Sequence, residues 1–245
     1  MRLLLILLVL LLPVGCGTAD QRAADPAATA TAGPRESADG TITVLAAASL
    51  TETFRTLARR FERRHPGAHV RLGFGGSSTL AQQIRSGAPA DVFASAAAGP
   101  LRGLPTAGAP VIFARNRLQI AVPAGNPGGV ESLADFADAD RTLAICAREV
   151  PCGAAAEDVF GRAGVTARPD TYGRDVKAVL TAVRLGEVDA GLVYRTDVRA
   201  ASGDVEGIEV PEAAQVANDY PIVRLAGAPN PVGAKAFVAY ITSPE

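Results

Sequence analysis

Two serines stand where a small anion could be held. Ser49 ends the apolar run Ile42-Thr43-Val44-Leu45-Ala46-Ala47-Ala48 and precedes Leu50-Thr51-Glu52; Ser77 follows Val70-Arg71-Leu72-Gly73-Phe74-Gly75-Gly76 and precedes Ser78-Thr79-Leu80. A hydroxyl at the first turn of a helix adds a donor to backbone N–H groups that have no partner inside the helix. The aligned peptide dipoles place roughly half a positive charge at the same point. Two such ends aimed together form an anion site made of neutral donors, and neither loop contains Lys or Arg. Other chemistry lacks its parts. Ser77 has no Gly-x-Ser-x-Gly elbow and the only histidines, His65 and His69, lie at the exit of the first helix, which argues against a serine hydrolase. The loop from Gly73 to Thr79 has no lysine before its hydroxyl residues, as a P-loop requires. A serine at a strand–helix turn also serves as an ordinary cap, so a site depends on convergence.

The flanking pattern supplies elements that would bring the serines together. Leu50, Phe54, Leu57, Ala58 and Phe61 recur at helical spacing, and Ser49 to Glu52 has the spacing of a capping box. Val70, Leu72 and Phe74 alternate as a strand, after which Leu80, Ala81 and Ile84 resume helical spacing. Parallel strands joined by a helix cross over right-handed. Both serine turns then open on one edge of one sheet, where open α/β sheets bind ligands. The basic run Arg59-Arg60-Phe61-Glu62-Arg63-Arg64 reads as a solvated helix end stopped by Pro66-Gly67, pointing away from that edge.

Ala90–Ala94, Val111–Phe113 and Leu118–Val122 are further strands, and the chain leaves the first lobe between Arg117 and Pro123. The pattern then repeats. Strand Thr142–Cys146 leads through Val150-Pro151-Cys152-Gly153 into a helix over residues 154–161, with proline placed where its missing N–H costs nothing. Tyr172-Gly173-Arg174-Asp175 leads into Val176, Val179, Leu180 and Val183 on one helical face, with Asp175 as N-cap. Ala190–Tyr194 is a strand ending in tyrosine. Taken alone, Val176 reads as core and Tyr194 as a packing residue with a wet hydroxyl. Asp219–Val223 crosses back to the first lobe and Ala234–Ile241 is a helix.

With 245 residues, 48% of them hydrophobic, the chain can build one large or two smaller cores. Net charge is −1, aromatics make up 5% and Trp is absent, so nucleic acid is not an expected partner. Residues 1–16 join a basic start to the apolar run Leu3–Leu12, the pattern of an export signal too short to span a bilayer. Val14-Gly15-Cys16 resembles the lipobox of bacterial lipoproteins, with Pro13 in place of the usual leucine; ordinary signal cleavage is the alternative. The resemblance implies lipidation of Cys16 and anchoring to the outer face of the cell membrane. Residues 17–40, rich in Ala, Thr, Asp and Pro, read as a flexible tether.

Ala46-Ala47-Ala48-Ser49-Leu50, Gly76-Ser77-Ser78-Thr79-Leu80, Gly87-Ala88-Pro89-Ala90-Asp91-Val92-Phe93, Val150-Pro151-Cys152-Gly153, Asp175-Val176 and Gly191-Leu192-Val193-Tyr194 together resemble the periplasmic molybdate-binding proteins, the substrate-capturing subunits of molybdate ABC transporters. They run in that family's order from Thr41 almost to the end. The resemblance implies an α/β, two-lobed periplasmic binding protein (type II) fold. Lobe 1 would comprise residues 41–120 and 218–245, and lobe 2 residues 121–217. It also implies a crevice for molybdate or tungstate, no cofactor, no catalytic residue, no metal beyond the bound oxyanion, a membrane permease as partner and a monomeric state.

Carried over, the oxyanion ligands are Ser49 and Ser77, Cys152 and Val176 through their backbone N–H groups, and Tyr194 through its phenol; Ser78 competes with Ser77 for the register. Another tetrahedral oxyanion such as sulfate is the nearest rival cargo. Hydrogen phosphate would want an acceptor carboxylate, and Asp175 would supply one if it faced inward. Cys146 and Cys152, in an exported chain, would form a disulfide; two buried thiols are the alternative, and no further His or Cys stands near to complete a metal site. Family members continue with more helix where this chain stops, so the C-terminus reads as truncated or as lacking part of the lobe 1 surface.

Overall fold

The computed structural model describes residues 37–243. The signal segment, Cys16 and most of the tether lie outside these residues. The tether's end does not: Ala38 is buried in the first core and Gly40 opens the first strand, so ordered chain begins before Thr41. Gly40 sits at φ +87°, its N–H bonded to the Gly67 carbonyl, a left-handed conformation that suits glycine.

Two five-stranded mixed sheets carry the fold. In the first, β1 (Gly40–Ala47), β2 (Ala68–Gly75), β3 (Val92–Ala94), β4 (Val111–Asn116) and β10 (Asn218–Arg224) are ordered β2-β1-β3-β10-β4. β1 is parallel to β2 and β3, and β10 runs antiparallel between β3 and β4. In the second, β5 (Leu118–Pro123), β6 (Leu143–Cys146), β7 (Thr171–Gly173), β8 (Ala190–Tyr194) and β9 (Val205–Ile208) are ordered β7-β6-β8-β5-β9. There β6 is parallel to β7 and β8, and β5 is antiparallel to β8 and β9. The chain passes between sheets at Arg117, so β5 lies wholly in the second sheet, where the sequence reading divided it at residue 120.

Apart from β3, each parallel β-strand hands over to a helix. α1 (Thr51–Arg64) and α2 (Ser77–Arg85) follow β1 and β2; α3 (Pro151–Ala163), α4 (Val176–Arg184) and α5 (Arg195–Ala200) follow β6, β7 and β8; α6 (Pro231–Ile241) closes the first lobe. α1 buries Phe54, Ala58 and Phe61, the expected face, against Phe237 of α6, with the Phe61 and Phe237 rings edge-on at 5.2 Å. The second core gathers α3 and α4 around β6, β5 and β8.

The expected capping box at Ser49 does not form. A turn of 3-10 helix over Ala48–Leu50 intervenes, α1 starts at Thr51 with Leu50 in the cap position, and the Thr51 hydroxyl donates to the Ala48 carbonyl at 2.6 Å. That turn leaves the Ser49 hydroxyl available for a distant partner. α5 was not anticipated: its six residues give too short a pattern to register.

The lobes stand closed on each other. The Ser78 hydroxyl donates to the Glu149 carbonyl at 2.6 Å, and Lys177 of α4 reaches Glu52 of α1 at 3.0 Å. At Gly76 a Cβ would stand 2.7 Å from the Arg174 carbonyl oxygen and 3.2 Å from Val150 Cγ1, both across the crevice. Glycine is what allows this approach.

Candidate functional site

The structure brings Ser49, Ser77, Cys152, Val176 and Tyr194 together around one cavity between the lobes, walled also by Ala47, Ala48, Gly75, Gly76, Ala96, Val150, Pro151 and Asp175. In this closed form it has about 10 Å³ of room for the centre of a water-sized guest, far below the roughly 300–1,000 Å³ of pockets for drug-sized molecules. The room is for a guest of a few atoms at most, and not for a nucleotide.

Its walls carry donors. In α2 the first bond of the helix is Leu80 N–H to the Gly76 carbonyl, which leaves the Ser77 N–H without a partner among the described residues. In α3, Gly153 and Ala154 both donate to the Val150 carbonyl and Pro151 has no N–H, so Cys152 supplies the free one. In α4, Asp175 Oδ1 accepts from Lys177 and Ala178 at 3.0 Å each, leaving the Val176 N–H for the cavity. Asp175 therefore caps its own helix, and that carboxylate oxygen is not offered as an acceptor to a ligand. The side chains at 152 and 176 point elsewhere, into the second core.

The serines differ from one another. Ser77 is buried, and its oxygen accepts the Ala96 N–H at 3.0 Å. Ser78, its rival in the sequence, spends its hydroxyl on Glu149 and does not line the cavity. The Ser49 hydroxyl lies 3.0 Å from that of Tyr220, a buried residue of β10. The Tyr194 hydroxyl is buried and forms no hydrogen bond within the described residues, although its ring is edge-on to Tyr220 at a centroid distance of 5.9 Å. A buried donor without a partner is costly, and here it belongs to a wall of the cavity.

Burial pushes the Tyr194 hydroxyl well above the ordinary phenol range, with the Tyr220 and Asp197 neighbours adding to the shift. Burial also raises Tyr220, the Ser49 hydroxyl beside it opposing the shift. Both phenols thus stay protonated and able to donate. Behind them Asp197, buried and accepting the Tyr194 N–H at 3.3 Å, is pushed up to about 6 by burial, opposed by Lys177 at 3.1 Å. Lys177 is neutralised by Asp197 and Glu52 and is not part of the cavity wall.

The Cys146 and Cys152 sulfurs are 2.09 Å apart and their Cα atoms 5.7 Å, bonding distance and a normal span. The contact ties the end of β6 to the turn that presents the Cys152 N–H. Sequence reasoning missed Tyr220, Lys177 and Asp197, because each acts through a partner on another element of the fold.

A family profile described as bacterial extracellular solute-binding protein matches residues 42–245. Over 234 residues the chain is 37% identical to the molybdate-binding protein ModA of Mycobacterium tuberculosis, an alignment spanning 94% of this chain and 87% of that one. The chain belongs to the bacterial extracellular solute-binding proteins. A second solute-binding relative, ModA of Escherichia coli, is 30% identical over 230 residues, covering 88% of this chain and 89% of its own length. The periplasmic molybdate-binding protein of Azotobacter vinelandii superposes with a TM-score of 0.70 at 22% identity, over 83% of this chain and 93% of that one. That likeness shows the fold, a two-lobed type II binding architecture. The chain is thus a solute-binding protein by family, with its cavity at the crevice where such folds hold their ligand.

Proposed function

We infer that this chain captures molybdate, or the isostructural tungstate, outside the cytoplasm and delivers it to an ABC importer. The observation that carries this reading is the ring of neutral donors drawn from both lobes onto one small cavity. Ser49 and Ser77 donate hydroxyls, Cys152 and Val176 backbone N–H groups, and Tyr194 its phenol. Hydrogen bonds to a charged acceptor are the stronger kind, and several in a site removed from water suffice for a dianion without a cationic side chain. The family relationship to proteins named for molybdate supports the same cargo. Hydrogen phosphate is disfavoured because the ring is made of donors and Asp175 Oδ1 is taken up by its own helix.

The mechanism is closure. An open form admits the anion; bonds to both lobes exist only when the lobes meet, so the ligand shifts the population to the closed form, the form a membrane permease would recognise. The protein acts as a binder rather than an enzyme. A lipid on Cys16 and a 17–40 tether would hold it at the membrane's outer face, a monomer able to reach its permease. A Cys146–Cys152 disulfide would hold the α3 turn in its donating shape.

Thermal unfolding with molybdate, tungstate, sulfate and phosphate in turn tests the cargo. A ligand at a thousandfold its Kd adds about 4 kcal/mol of stability, and molybdate and tungstate are expected to do so while phosphate does not. No shift with any of the four would refute the reading.

A further inference from the structure

We propose that the crossing between the lobes carries an anion site of its own, for a ligand bearing phosphate groups, built from Arg115, Arg117, Arg195 and Arg199. It is separate from the crevice and shares no wall residue with it.

Both passages of the chain between the sheets border one concave pocket. Asn116 and Arg117, where the chain leaves the first sheet, line it, and so does Ala217, where the chain returns to β10. Arg115 adds the end of β4 from lobe 1, and Arg195, Thr196 and Arg199 add α5 from lobe 2. The Asn116 amide donates to the Thr196 hydroxyl oxygen at 2.8 Å and joins the two sides. The room it offers the centre of a water-sized guest is about 290 Å³, against about 10 Å³ in the crevice.

Its charge sets it apart as well. The chain as a whole carries −1, yet four of the seven lining residues are arginine and none is acidic. Two carboxylates that do not form the wall steady these arginines. Asp219 accepts from Arg115 Nε at 2.7 Å, while Glu209 lies 2.9 Å from Arg195 and 3.6 Å from Arg117. Arg199 has no acidic partner among the described residues. Four guanidiniums against two carboxylates leave a surplus of two positive charges. A concave wall of one sign concentrates its potential, and each guanidinium presents a planar fork that matches phosphate oxygens. A phosphate group with two or more negative charges suits both the surplus and the room. The crevice binds with neutral donors; this pocket would bind with cations.

Calorimetric titration of the full chain with inorganic pyrophosphate tests the site. R115Q and R199Q each remove one guanidinium, from lobe 1 and lobe 2 respectively, and both side chains are exposed, so the cores are untouched. Each is expected to weaken pyrophosphate by about tenfold or more, the loss of a hydrogen bond to a charged group. R102Q, exposed elsewhere on lobe 1, and S77A, in the crevice, are expected to stay within twofold. Vesicles separate the two sources of such a ligand. Pyrophosphate binding alone assigns a free phosphate compound; an excess of binding to phosphatidylglycerol over phosphatidylcholine vesicles, lost in R115Q and R199Q, assigns a lipid headgroup. No response to either probe, a loss in only one of the two arginine variants, an equal loss in R102Q, or a loss confined to S77A would each overturn the site. A chain that binds pyrophosphate but ignores molybdate would leave this site standing and refute the reading of the crevice instead.

Discussion

Lobe 1 meets the cavity with the hydroxyls of Ser49 and Ser77 and with one main-chain group, the Ser77 N–H. Lobe 2 meets it chiefly with main chain, the N–H groups of Cys152 and Val176, to which it adds the Tyr194 phenol. The same strand–turn–helix unit produces both. In lobe 1 the turns carry short polar residues whose oxygens each meet a second group, the Ala96 N–H or the Tyr220 hydroxyl. In lobe 2 the turns are shaped by Pro151 and by the Asp175 cap, which use up neighbouring groups and leave one N–H each. Function in lobe 1 is therefore sensitive to residue identity, and function in lobe 2 to backbone shape.

Substitutions can break the comparison. The largest effect is expected where the lobes meet: G76A puts a methyl 2.7 Å from the Arg174 carbonyl. Overpacking of this kind costs about 1–3 kcal/mol. Molybdate affinity should fall by up to about a hundredfold in calorimetric titration, while the melting temperature without ligand changes little, because only the closed state clashes. Next comes the contrast between lobes. S77A removes a hydroxyl donor and is expected to weaken molybdate by roughly twentyfold, whereas V176A keeps its N–H and should stay within about threefold, its cost appearing in thermal stability as lost core contact. Equal losses in affinity would refute the division. The smallest loss expected of a removed polar group belongs to the rim. Glu52 is half exposed in its pair with Lys177, and pairs of that kind contribute about 1 kcal/mol or less. E52Q should therefore lower affinity no more than about fivefold at low salt, with the difference gone at high ionic strength.

The parts legible in the sequence were those set by local rules. Apolar periodicity marked β1, α1, β2, α2 and α4, and the short turns at Ser77, Pro151 and Asp175 announced helix starts that the structure contains. Because parallel strands place their helix starts along one edge, the site residues could be collected before any tertiary contact was known. Ser49 marks where local rules stopped. Its spacing to Glu52 matches a capping box, yet a 3-10 turn displaces the helix start and the hydroxyl goes to Tyr220, 171 residues away. Lys177 and Asp197 were unreadable for the same reason: α5 is a single short helix, and the pairing exists only once α4 and α5 stand side by side. The crossing at Arg117 falls within the stretch from Arg117 to Pro123 that the sequence marks for it, but the lobe bound at residue 120 cuts β5, because an apolar run such as Leu118–Val122 suits either sheet equally.

The side chains at 152 and 176 turn inward, away from the cavity they serve. Natural variation at those two positions is therefore constrained by packing rather than by cargo. A descendant could exchange the valine for isoleucine and keep the same ring of hydrogens, so counting matched letters there would understate how much of the receptor had been retained.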